Sequence, residues 1–265
     1  MDMYQLNQVP SEAKIRKYLR HILFGKNVFC PDCRSRQVVC YEQRYRCRKC
    51  RSKFSLTSHS WLANMKLPLQ QFWLLLWCYV RQVPVRQTKE LVGVSEEAVY
   101  DWFRLFRTNL PDQDVLLEQI VQLDEAYGRG WLVLMAKQAG TRKVAHVVLR
   151  EKSAQRHHAL GFLESYVKPG SQLNTDGAKI YQNINQWWPV AHKVDIHKRF
   201  EFGQTSEQEG MFGCMRTFIR RMYHHTTAEY APEYIGEFCV RFSSPQLFDS
   251  PLLFLEKTLK LVPRR

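Results

Sequence analysis

Two sets of side chains in this 265-residue chain have the types and spacing to do chemistry. In "CPDCRSRQVVCYEQRYRCRKC", Cys30-x2-Cys33 and Cys47-x2-Cys50 are separated by thirteen residues. Paired CxxC knuckles at that spacing bring four thiolates tetrahedrally around one zinc ion, with a β-hairpin between them. The second set is acidic. "VQLDEAYGRG" sets Asp124 and Glu125 in a strand-like run, "SQLNTDG" ends a strand in Asp176, and "QTSEQEGMFGCMRTFIRR" opens a helix with Glu207 and Glu209.

A charge inside an apolar strand is costly unless something offsets it. Two carboxylates brought together repel and call for a cation between them. Magnesium or manganese, hard ions that take oxygen ligands, suit such a pair. Strand alternation sends Asp124 and Glu125 to opposite faces, so only one of them is expected at this site, and Asp124 is chosen. Taken singly, Asp124 also fits a strand-end acid paired with a lysine, and Asp176 fits an ordinary turn residue.

Glu207 and Glu209 lie about 200° apart around a helix and cannot share a target. Glu209 heads a polar stripe with Gly213, Arg216 and Arg220, whereas Glu207 lies above Met211, Cys214 and Phe218 on the expected core side. Glu209 is therefore the candidate third metal ligand, with Arg216 and Arg220 placed to meet phosphate. Ser206-x-x-Glu209 equally spells a capping box, in which the glutamate closes its own helix start. Spacing leaves both roles open.

The elements that must position the acids follow from periodicity. "QIVQLDEAY", "WLVLMAKQ" and "KVAHVVLR" are three short apolar runs divided by glycine-containing turns, as in an antiparallel meander. A helix over "SAQRHHALGFLESYV", the strand ending at Asp176, a helix over 177–187, a strand near "KVDI" and a helix from Ser206 to Met222 follow. That is the element order of an α/β, RNase H-like core, in which the fourth strand lies beside the first and carries Asp176 toward Asp124.

The amino-terminal part has a different character. Lys and Arg outnumber Asp and Glu by 39 to 25 overall, and residues 1–110 carry 19 of those cations against 8 acids. Residues 34–53 alone hold eight Arg or Lys against Glu42, more than four zinc-bound thiolates need for screening. The surplus, including Arg44, Arg46, Arg48 and Lys49, suits a phosphate backbone. Leu69, Phe72, Trp73, Leu76 and Val80 recur at helical spacing. Pro84 then opens a helix over 85–91, "VGV" turns the chain, and Ser95 caps a helix to Arg107. This resembles a helix-turn-helix unit. Glu96, Glu97 and Asp101 on its second helix disfavour groove insertion, while Tyr100, Arg104 and Arg107 favour DNA contact; a packing or dimerising unit is the other reading.

The expected order is a helical segment over 1–27, a zinc ribbon over 28–58, a helix-turn-helix-like segment over 59–110, a linker over 108–118, an RNase H-like domain over 119–245, and a tail over 246–265. Cys40 is expected to be structural, and Cys78, Cys214 and Cys239 to sit in the core. The start "MDMYQLNQVPSEAKIRKYLR" has no apolar secretory run, and the apolar stretch 72–80 falls short of a bilayer. A cytoplasmic, nucleoid-associated protein with no membrane partner is expected.

Taken together, "CPDC…YRCRKCRSKFSLT", "QLDEAY", "NTDGAKIY", "TSEQEGMFGCMR" and "YHHTTAEYAPEYIGEFCVRF" resemble the bacterial insertion-sequence transposases of the IS fifteen-ninety-five group, whose catalytic module is termed ISXO-like. The resemblance covers about residues 28 to 243. It implies a DDE transposase in which Asp124, Asp176 and Glu209 are the catalytic acids and hold magnesium or manganese. It further implies a structural zinc, metal-dependent cleavage and strand transfer of insertion-sequence ends, double-stranded DNA as partner, and a homodimer or larger assembly. Ser206 stands where the family often has Asn, and Gln204 where it usually has His. A catalytically inactive, transposase-derived DNA-binding protein is the alternative reading.

Overall fold

The computed structural model describes residues 9–42, 44–195 and 206–262, apart from the side chain of Ser206. The chain divides into two compact units, one of residues up to 111 together with 246 onward, the other of residues 112–245. Among the described residues no helix is long and apolar enough to cross a membrane.

The first unit begins with α1 (Glu12–Phe24), capped by the Ser11 hydroxyl on the Lys14 N–H. A three-stranded antiparallel sheet follows, β1 (Val38–Tyr41), β2 (Arg44–Cys47) and β3 (Lys53–Ser55). Then come α2 (Leu69–Val80), α3 (Val85–Val92) and α4 (Glu96–Thr108). Gly93 ends α3 in the left-handed region, at φ 73°, and Ser95 caps α4 by accepting from the Ala98 N–H. The two-helix unit joined by a glycine turn therefore forms as its sequence indicates. Arg104 is exposed, whereas Arg107, expected on the surface, is buried. It lies one position past Phe106 on the packed side of α4.

Residues 246–265, expected as a tail, carry a helix, Pro251–Thr258, belonging to this unit. Ser250 caps it and Pro251 opens it, while Phe254 and Leu255 are fully buried. Phe254 meets Tyr79 at 5.7 Å and Phe106 at 6.0 Å between ring centroids. In "PLLFLEKT" the apolar residues run together from 251 to 255, so no face stands out in sequence, although the buried Pro251, Phe254, Leu255 and Thr258 fall at helical spacing.

In the second unit the sheet comprises β4 (Ile120–Gly128), β5 (Trp131–Gln138), β6 (Val144–Leu149), β7 (Gln172–Thr175) and β8 (Ala191–Val194), in the order β6-β5-β4-β7-β8. β4, β5 and β6 form the antiparallel meander, and β7 joins β4 and β8 in parallel. Every residue of β5 is buried, as a strand covered on both faces requires. Helix α5 (Arg156–Tyr166) lies between β6 and β7 in sequence, and its Phe162 and Leu163 pack with Leu123, Leu134, Leu173 and Tyr181. Helices α6 (Ser206–Tyr223) and α7 (Ala231–Ser243) complete the unit, α6 against β4 and α7 against β6. This mixed order and the helices that cover it are those of an RNase H-like fold.

One expected helix is absent. Residues 177–187 form two 3₁₀ turns, Lys179–Tyr181 and Ile184–Gln186, divided by Asn183 in the left-handed region at φ 57°. Each turn buries one anchor, Tyr181 or Ile184, in the core, and Asn183 between them breaks the helical path.

Candidate active site and candidate zinc centre

The acidic site forms where β7 leaves the sheet. The last register pair between β4 and β7 is Gln122 with Asn174, so the edge of β4 at Asp124 and Glu125 has no strand partner on that side. Asp176 follows directly after β7, and its Oδ1 accepts the Ala178 N–H at 3.0 Å. Thr175 fixes the same strand end through His192 Nε2, 2.9 Å from its hydroxyl. Carboxylate oxygens of Asp124, Glu125 and Asp176 thereby lie within 4.8 Å of one another.

This corrects one expectation. Strand alternation places Glu125 on the face away from the site, yet its oxygen lies in the cluster. Alternation does separate the two Cβ atoms, but at an unpaired strand edge the side chains above and below the strand can both reach the same neighbour. Glu125 is held there by phenols: Tyr181 donates to Oε2 at 2.5 Å and Tyr127 to Oε1 at 3.4 Å. The signal in the sequence was Tyr181 in "GAKIY", a polar-tipped residue whose hydroxyl needs a buried acceptor.

The electrostatics follow from this crowding. Burial pushes the Asp124 carboxyl up to about 7; the Glu125 N–H, donating to Oδ1 at 2.8 Å, pulls the other way, and the charges of Asp176, Glu125 and Glu209 add to the rise. Glu125 is also raised, first by burial and then by Asp176, against the bond from Tyr181. Burial and neighbouring charge thus disfavour the ionised forms of Asp124 and Glu125, which a cation would restore. Three carboxylates with converging oxygens fit a hard divalent ion.

Glu209 stands outside that 4.8 Å grouping, yet near enough for its charge to act on Asp124. Two contacts fix the first turn of α6. Gln208 is buried and its Nε2 donates to the Met135 carbonyl at 2.9 Å, and Met135 is the register partner of Asp124. Glu207, expected to face the core, instead pairs with Lys137, a lysine almost wholly buried on β5. Gly213, Arg216 and Arg220 are exposed along the Glu209 side of the helix, as the stripe implied, and Met211, Met215, Phe218 and Met222 are buried opposite. The capping-box alternative turns on the Ser206 side chain, which lies outside the described residues, as does Gln204. Cys214, expected in the core, is exposed, because it lies past the edge of the face that buries Met211, Phe212, Met215 and Met222; Cys78 and Cys239 are buried. Cys40 is exposed, its thiol 3.6 Å from the Glu42 carbonyl.

In the ribbon, the sulfurs of Cys30, Cys33, Cys47 and Cys50 all lie within 4.8 Å of one another. Cys30 and Cys50 are 3.5 Å apart, and Cys33 and Cys47 are 3.6 Å apart. Zinc–sulfur bonds of about 2.3 Å in a tetrahedron give edges of about 3.8 Å, so the four thiols fit zinc. Burial pushes the Cys30 thiol up to about 12, while backbone N–H groups, that of Cys50 first, draw Cys47 down to about 6. A zinc ion bound by all four sulfurs would displace their protons. Arg44, Arg46, Arg48 and Lys49 are exposed around this centre.

Residues 117–243 match the family model described as the ISXO2-like transposase domain, and residues 10–53 match that of the transposase zinc-ribbon domain. The chain is 27% identical over 136 residues to an uncharacterized protein in transposable element ISH50 of Halobacterium salinarum, over 49% of this chain and 46% of that protein. It thus spans about half the length of that curated relative. A chain of the simian T-cell lymphotropic virus intasome in complex with the PP2A regulatory subunit B56 gamma is similar at a TM-score of 0.33 and 11% identity, covering 63% of this chain and 67% of that one, a likeness too slight to argue from. With both matched segments together spanning well over half of its length, the chain belongs to the insertion-sequence transposases of the IS fifteen-ninety-five group.

Proposed function

We propose that this protein is a DNA transposase that cleaves and joins insertion-sequence ends by divalent-metal-dependent phosphoryl transfer. The observation that carries the reading is the meeting of Asp124 and Asp176, from separate strands, at an open sheet edge where burial and mutual repulsion keep Asp124 from ionising freely. A pair of magnesium or manganese ions bound there would activate the attacking oxygen and stabilise the leaving one. Asp124 is the central ligand and Asp176 flanks it. Glu209 completes the set from the anchored first turn of α6, and Glu125 lends a further oxygen held in place by Tyr181. Arg216 and Arg220, on the exposed stripe beyond Glu209, steady the scissile backbone. Arg44, Arg46, Arg48, Lys49 and Arg104 contact double-stranded DNA outside the site, and zinc at the four cysteines is structural. Bringing two DNA ends together calls for a homodimer or larger assembly, acting at the nucleoid in the cytoplasm.

A second reading, a DNA-binding protein without catalysis, is favoured by the place of Glu209 outside the close acidic grouping. Incubating the purified protein with terminal-repeat DNA and magnesium separates the two. Cleavage and strand transfer that Asp124→Asn abolishes, with DNA binding retained, is the expected result. Retention of DNA without any cleavage would favour the second reading.

A further inference from the structure

The two faces of the zinc-ribbon sheet differ in kind. Directly opposed residues of an antiparallel sheet share a face. Tyr41 is opposite Arg44, Val39 is opposite Arg46, and Arg46 is in turn opposite Lys53. Tyr41, Arg44, Arg46 and Lys53 therefore lie on one side. Tyr45 and Phe54 alternate to the other, where their rings stack at 5.4 Å and meet Phe24 of α1 at 6.4 Å and 6.2 Å. Helix α1 closes that inner side, so the charged side is the outer one.

An open groove of about 860 Å³ is lined by Tyr41, Arg44, Arg46 and Lys53 of this outer face, by Glu42 at the turn, and by Tyr45, which lies between Arg44 and Arg46 on β2. Strand and residue spacings put its three cations within a patch on the order of 10 Å across. Glu42, at the hairpin turn, is the one acid on its rim. None of the three cations has an ion pair among the described residues. Tyr41 leaves 60% of its surface in solvent, a large ring held at the turn with nothing packed over it. Arg48 and Lys49 sit beside this face in the knuckle turn between Cys47 and Cys50, off the strands.

We infer that the outer sheet face is the surface by which the ribbon lies on duplex DNA, with Arg44, Arg46 and Lys53 against phosphates and Tyr41 packed against a sugar or base edge. This rests on the reading of the protein as DNA-acting, and adds to it the side of the ribbon that is used and two contacts, Lys53 and Tyr41. Dense positive charge on a rigid sheet matches a polyanion, and an exposed aromatic at its edge matches the apolar surface between phosphates.

The test is fluorescence anisotropy of the full chain with a short labelled duplex, titrated across salt concentrations, with zinc content measured for each variant to verify the ribbon. The triple variant Arg44→Gln/Arg46→Gln/Lys53→Gln is expected to reduce the slope of log affinity against log salt by about 2 to 3. Its binding should weaken on the order of tenfold or more at low salt. The charge-matched triple Lys17→Gln/Lys26→Gln/Lys66→Gln, away from the groove, should change the slope by less than about 1. Tyr41→Ala should weaken binding and Tyr41→Phe should retain it. An unchanged slope in the groove triple while wild type binds, or an equal loss in the control triple, overturns the assignment of this face alone. Failure of zinc-loaded wild type to bind any duplex overturns the DNA-acting reading with it.

Discussion

Replacing Asp124 by asparagine in protein stripped of divalent metal is expected to stabilise the unit of residues 112–245 at about pH 8, while destroying its response to magnesium. The magnitude follows from the crowding of the site. Raising the carboxyl from its ordinary 3.8 to about 7 corresponds to about 4 kcal/mol. The sign is that of an acid favoured in its protonated form by the fold. Its stabilising contribution is complete below 3.8 and is lost as pH rises through about 7. Asparagine never ionises, and its carboxamide oxygen keeps the bond from the Glu125 N–H. With partial solvent access trimming the effect, a gain of about 2 to 4 kcal/mol at pH 8 is expected. That is on the order of 10 °C in Tm for a unit of this size, shrinking toward zero near pH 4. Thermal denaturation in a chelating buffer at the two pH values measures it. Adding magnesium should then raise the Tm of wild type and leave that of the variant unmoved. A variant less stable than wild type at about pH 8, or a difference independent of pH, would refute the claim that repulsion and burial strain this carboxylate.

Three further outcomes follow from the same structure. Cys47→Ser should abolish stoichiometric zinc binding and expose the 28–58 segment to protease, read by metal analysis and limited digestion, because three ligands leave the tetrahedron incomplete. Lys137→Met should change unfolding stability by no more than about 1 kcal/mol, since an apolar side chain replaces a buried charge. It should nevertheless weaken magnesium-induced stabilisation, because the first turn of α6 loses its tie to β5 and Glu209 loses its fixed place. Glu237→Leu should cost about 3 to 5 kcal/mol in urea unfolding. Glu237 is buried, and it accepts from the Tyr223 hydroxyl at 2.6 Å and from Arg241 Nε at 2.8 Å, which ties the end of α6 to α7.

The sequence made some parts of this molecule legible and hid others, for physical reasons. Four cysteines at knuckle spacing announce their meeting because so few residues separate the members of each pair. The meander and the parallel fourth strand are written in short apolar runs, and they carry Asp124 to Asp176. Glu125 was hidden because alternation describes where side chains leave the backbone, not how far they reach around an edge that β7 has vacated. The covering helix at 251–258 was hidden because its apolar residues run together from 251 to 255 and its last buried position is Thr258, and the 177–187 segment because its apolar spacing suits a helix while Asn183 turns the chain. Cys214 was hidden because its stripe with Met211 and Phe218 runs along the margin of the buried face, which centres on Met211, Met215 and Met222. The first turn of α6 needed tertiary contacts: nothing local shows that Glu207 would find Lys137 and Gln208 the Met135 carbonyl.

The most direct measurement is anomalous diffraction from crystals soaked in manganese. The account predicts a peak about 2 Å from carboxylate oxygens of both Asp124 and Asp176, with Glu209 or Glu125 supplying a further oxygen. Manganese absent from that sheet edge, with the two aspartates left bonded only to protein and water, would contradict it.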